Sequence, residues 1–89
     1  MREEFLEAYN KFSDEIFQYC YQKTLHRDIA KELSKDTFLR TWDMIASGMP
    51  VHNIRKTLFR TARLVVDNAL QNQSGVISNL WSLTLYQQS

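Results

Sequence analysis

At 89 residues, with 44% hydrophobic and 12% aromatic side chains, the chain suits one small folded domain with room for a single core. Two glycines and one proline are too few for an all-β protein of short strands and tight turns, and a lone cysteine, Cys20, excludes an internal disulfide. The net charge of +1 hides an asymmetry: residues 1–47 hold seven Lys/Arg against nine Asp/Glu, whereas residues 48–89 hold four against one.

Residues 3–23 read as a first helix. Phe5, Tyr9, Phe12, Ile16 and Tyr19 recur at spacings of four, three, four and three, an apolar stripe at helical period that is expected to face the core. Glu3, Glu4 and Glu7 suit the positive pole of the helix dipole. Cys20 adjoins the stripe and reads as a small buried apolar residue, not a nucleophile. Residues 24–28 form a short polar link in which Asp28 is a candidate cap for the next helix.

From Ile29 the helical pattern resumes. Ile29, Leu33, Phe38, Trp42 and Ile45 mark a core face; Lys31, Glu32, Lys35, Asp36, Arg40 and Asp43 mark a polar one. Ser47 and Gly48 end it, Gly48 being the residue best able to take the left-handed terminating conformation. Pro50 then holds Met49 extended in a tight connector.

A third helix begins near Asn53 and divides into two faces. Ile54, Leu58, Thr61, Ala62, Val65 and Ala69 gather on one side. Arg55, Lys56, Phe59, Arg60 and Arg63 cover an arc of roughly 140° on the other. All four cations of the second half of the chain lie here, around what reads as an exposed aromatic, with Asp67 the only acid. Such a face suits a polyanion; from composition alone it reads equally as a solvated helix surface.

Residues 68–89 carry no charge. Residues 71–75 read as a helix end and loop, and Ile77, Leu80, Trp81 and Leu85 suit one side of a short final helix. Leu83 and Leu85 also alternate with polar neighbours, which leaves a strand open. These apolar residues need cover from the three helices or from another molecule, and residues 76–86 are a candidate self-association surface. The fold class expected is an all-α bundle of three long helices with a short C-terminal helix or irregular tail, one domain over residues 1–89.

The second helix also carries a family pattern. Ala30-Lys31-Glu32-Leu33-Ser34-Lys35-Asp36-Thr37-Phe38-Leu39-Arg40-Thr41-Trp42 resembles the Ala-Glu-Asp-Leu-x-Gln-Glu-Thr-Phe-Leu-Arg-x-Trp signature of bacterial RNA polymerase sigma factors of the extracytoplasmic-function type, in their second region. Phe5-Leu6-Glu7-Ala8-Tyr9 with Ile16-Phe17-Gln18-Tyr19-Cys20 is similar to the family's opening helix. Asn53-Ile54-Arg55, followed by Leu58-Phe59-Arg60 and Ala62-Arg63, resembles its Asn-x-Arg-Ala-Trp/Phe-Leu-Tyr-Arg-Ile-Ala-Arg. The resemblance covers about residues 3–70.

It implies a helical domain that binds the clamp helices of the polymerase β′ subunit and recognises and melts the −10 promoter element. On that analogy Glu32, Lys35, Asp36 and Arg40 contact polymerase. Residues 48–52, including His52, form the loop that receives a flipped non-template base. Asn53, Arg55, Lys56, Phe59, Arg60 and Arg63 line the DNA path. An anti-sigma factor is a further implied partner. The chain departs from the family at Glu32 for Asp, Lys35 for Gln and Thr57 for the aromatic, and lacks the Asn that follows Ala-Arg. Uncharged Leu70-Gln71-Asn72-Gln73 stands where relatives continue basic, which removes phosphate contacts. The fourth, promoter-reading region has no room in 89 residues, so an excised domain, a truncated product or a lone module is expected.

No Gly-rich phosphate loop, activated nucleophile or acid pair is present, so neither an enzyme nor a cofactor is expected. His26, His52 and Cys20 lack the spacing of metal-ligand pairs. The opening Arg2-Glu3-Glu4 is no signal peptide, and no apolar run approaches the roughly 20 residues that span a bilayer, so a cytoplasmic location without membrane contact is expected. Two other readings stand beside the sigma-type one. A degenerate sigma-like module would bind polymerase or an anti-sigma factor without melting DNA, and a generic small helical domain would bind DNA without polymerase.

Overall fold

Carboxylates at one end and a cation at the other open and close the first helix, as the helix dipole favours: Glu3 and Glu4 stand in its first turn and Lys23 in its last. A computed structural model describes residues 2–71 as three helices, α1 (Arg2–Thr24), α2 (Arg27–Ala46) and α3 (Ile54–Gln71). Each packs on both others, so the architecture is the expected small all-α bundle. The loop expected after Gln71, the final helix or strand and the candidate self-association surface at 76–86 lie outside the described residues.

The break between α1 and α2 is tighter than the sequence suggests. Thr24 Oγ1 donates to the Cys20 carbonyl at 2.9 Å, and the Leu25 N–H donates to the Tyr21 carbonyl at 2.7 Å. Leu25 closes the helix in the left-handed region, at φ 56°, with its side chain 78% exposed. Asp28 is not the cap of α2. His26 takes that place, its backbone extended at φ −138° and its Nδ1 accepting the Ile29 N–H at 3.1 Å. Asp28 falls instead inside the first turn, because the helix begins two residues earlier than the apolar pattern, at Arg27.

α2 ends as expected at Ser47 and Gly48. The Gly48 N–H donates to the Ile45 carbonyl and the Met49 N–H to the Met44 carbonyl, both at 3.1 Å, a Schellman closure with Gly48 at φ 88°. Asn53 caps α3, its Oδ1 accepting the Lys56 N–H at 3.0 Å.

Ile16, Cys20, Ala30, Leu58, Ala62 and Val66 are fully buried where the three helices meet. Thr37 and Thr41 are buried with them, and their hydroxyls donate back to the carbonyls of Leu33 and Thr37 at 2.8 and 2.9 Å. Among the described residues no buried side-chain polar atom lacks a partner.

The α1 stripe is only partly core. Ile16 is fully buried, Phe5, Phe12 and Tyr19 are half-buried, and Tyr9 is 47% exposed. The reason is placement. α3 lies on the Glu15 and Tyr19 side of α1, whereas Tyr9 stands with Leu6, Ser13 and Phe17 on the side that faces α2. There Phe5, Tyr9, Phe38 and Trp42 form a ring cluster with centroids 4.8 to 6.3 Å apart, and Trp42 is half-buried.

Candidate nucleic-acid interface

The outer face of α3 exists because its apolar residues are spent inward. Leu58, Thr61, Ala62, Val65 and Ala69 are buried as the periodicity predicts, with Ile54 half-buried and Val66 added. Arg55, Lys56, Arg60 and Arg63 are left exposed on one surface. Two of the four are held by carboxylates of the protein itself. Arg55 Nη2 donates to Glu15 Oε2 of α1 at 3.2 Å, and Arg63 Nε lies 3.9 Å from Asp67 Oδ2 one turn on. Among the described residues no carboxylate stands within ion-pairing distance of Lys56 or Arg60. Exposed pairs of this kind hold weakly, so both arginines remain exchangeable for a phosphate.

Phe59 is not the exposed aromatic the sequence suggests. It is half-buried, because its ring meets Tyr19 edge-on with centroids 6.2 Å apart while the Arg55 guanidinium covers it at 4.8 Å. The helical projection of α3 has no means of showing this, since Tyr19 comes from α1.

The connector lies at the start of this face. Met49, Pro50, His52 and Asn53 are exposed and Val51 is half-buried. Asn53, placed on the DNA path by resemblance, has its side-chain oxygen engaged in the α3 cap. Cys20, beneath the seam of α1 and α3, is fully buried, and burial pushes its thiol up to about 11, which keeps it protonated and unreactive at neutral pH. Among the described residues no group of His, Cys, Asp or Glu is placed to hold a metal ion. No helix there is long and apolar enough to cross a membrane.

The residues expected to meet polymerase stand on a different helix, α2. Glu32, Lys35 and Arg40 are exposed and Asp36 is half-buried, with Arg40 Nε donating to Asp36 Oδ2 at 2.9 Å. Sequence reasoning missed what lies beside them. An open groove of about 670 Å³ runs between α1 and α2, lined by Leu6, Tyr9, Phe17, Lys35, Leu39 and Trp42 among others. Leu6 and Leu39 are 51% and 54% exposed. The signal available in sequence was Leu39, an apolar residue in the middle of the polar face of α2.

Among the described residues, the two sets of predicted residues thus stand on different helices of the bundle. No family model matches the chain, and no solved structure matches it. The chain is similar to the RNA polymerase sigma factor YlaC of Bacillus subtilis, with 31% identity over 61 residues, 68% of this chain and 35% of that protein. It therefore spans about a third of the length of the curated relative it matches.

Proposed function

We propose that this chain is a sigma-type transcription initiation domain, bridging RNA polymerase core enzyme and promoter DNA. The similarity to a sigma factor carries the general reading. The finer reading is that α2 binds the β′ clamp helices through Glu32, Lys35, Asp36 and Arg40, while the connector and α3 take the −10 element as an opened non-template strand. It is supported by the exposed cations Arg55, Lys56, Arg60 and Arg63 and by the exposed connector residues His52 and Asn53. Clustered cations neutralise phosphates and release counterions, which yields affinity that falls steeply with salt. A domain without a nucleotide-hydrolysing motif opens DNA only by binding the open form more tightly. The setting for both partners is the cytoplasm.

The reading is tested by capture of core polymerase on the immobilised chain and by titration of a labelled single-stranded −10-like oligonucleotide. Replacing Arg55, Lys56, Arg60 and Arg63 together with Ala is expected to abolish oligonucleotide binding and spare capture. Charge reversal at Glu32 and Asp36 is expected to do the opposite. Undiminished oligonucleotide binding by the fourfold variant would sink the DNA half.

A second reading is favoured by two observations. Glu15 and Asp67 already neutralise two of the four cations, and the apolar groove adjoins the predicted polymerase residues. A module that captures polymerase or an anti-sigma factor without melting DNA fits these features. It predicts capture of either protein with no oligonucleotide binding at any salt concentration.

A further inference from the structure

The cationic surface does not end at α3. Glu15, Tyr19 and Lys23 recur every four residues along α1, and Arg55, Phe59 and Arg63 recur every four along α3, so each set is one stripe of its helix. Two contacts fix the register between the stripes: the ion pair of Glu15 with Arg55 at 3.2 Å, and the rings of Tyr19 and Phe59 at 6.2 Å and 86°. Both steps run in the same sense, so α1 and α3 are parallel here. One further step along each stripe reaches Lys23 on α1 and Arg63 on α3, both exposed.

Each stripe thus ends in a cation that already has a neighbour on its own helix. Lys23 Nζ turns back over the Tyr19 ring, 5.9 Å from its centroid, and Arg63 leans on Asp67 at 3.9 Å. Burial and then the Asp67 carboxylate push the Tyr19 phenol up while Arg63 opposes them, in keeping with Tyr19 lying near that part of α3.

We propose that Tyr19 and Lys23 of α1 belong to the nucleic-acid surface, so that an unpaired strand lies along the seam between α1 and α3. The inference rests on the nucleic-acid reading above and extends it to a second helix. Each half-buried ring of the seam is topped by a cation, Lys23 on Tyr19 and Arg55 on Phe59. A base stacks on an aromatic ring more strongly than an exposed cation does. The displaced cation then lies beside the phosphate that flanks the base. The ligand is single-stranded because a duplex keeps its base faces stacked on one another.

The test is fluorescence anisotropy of labelled oligo(dT) titrated with the whole chain over a salt series. Lys23→Ala is expected to lower the salt slope by about one, and Lys23→Glu to weaken binding by about tenfold or more. Tyr19→Leu is expected to weaken it about fivefold with the slope unchanged, since stacking releases no counterion. A circular dichroism melt accompanies each variant; if Tyr19→Leu unfolds, the exposed Lys23 pair decides alone. Wild-type affinity and slope in both Lys23 variants, while Arg60→Ala weakens binding, would confine the strand to α3 and overturn the inference but not the reading it rests on. Absence of oligo(dT) binding by the wild-type chain at low salt would overturn both.

Discussion

Leu25 is the clearest case of a residue whose conformation works against its type. It closes α1 at φ 56°, where a branched side chain crowds the following carbonyl, and its 78% exposure means that little packing is gained in return. Leu25→Gly is therefore expected to stabilise the domain by up to about 1 kcal/mol, read as a rise in thermal midpoint. Cys20 supplies a second prediction at this scale. Its folded thiol is raised to about 11 from an ordinary value of 9.0, so between those values the unfolded chain gives up a proton that the folded chain keeps. The stability this provides is complete below about pH 9 and is lost as pH rises toward 11, on the order of 2 kcal/mol in all. Melts at pH 8.5 and pH 10.5 check it, and Cys20→Ala is expected to flatten part of that decline. Alkylation of Cys20 at pH 8 is expected only under denaturing conditions.

At the scale of the element, the ends of the helices are decided by hydrogen bonds that the apolar pattern does not record. His26 Nδ1 caps α2 by accepting the Ile29 N–H at 3.1 Å. His26→Ala is expected to cost about 1 kcal/mol, and His26→Asn, which restores an acceptor, to recover most of it in the same melt. The helices themselves were legible because each carries long stretches of helical period and the breaks are marked by Ser47, Gly48 and Pro50. The Leu25 terminus was not, because nothing about a leucine announces a left-handed residue. The faces were legible in proportion to how one-sided each helix is: α3 sorted as read, whereas α1 touches two neighbours over different stretches, which left Tyr9 outside the core.

At the scale of the molecule, the three helices of the described residues share one small core, each packing on both others. Leu58 is fully buried at that centre. Leu58→Ala is expected to cost about 2–5 kcal/mol, enough to unfold much of a domain this size, seen as loss of a cooperative far-ultraviolet transition. The same bundle carries Glu32, Lys35, Asp36 and Arg40 on α2 and the cations on α3, an arrangement that suits the proposed bridging role.

The sequence by itself determined the all-α class, the span of each helix to within a few residues, the burial of Cys20 and the cations that α3 turns outward. Those are consequences of period and residue type, which act over a few neighbours along the chain. Only the tertiary structure decided that Phe59 is half-covered by Tyr19, that Glu15 holds Arg55 and that a groove opens beside Leu39. Each joins residues of different helices, and the register between two helices is set by how the core packs, which no single helix encodes.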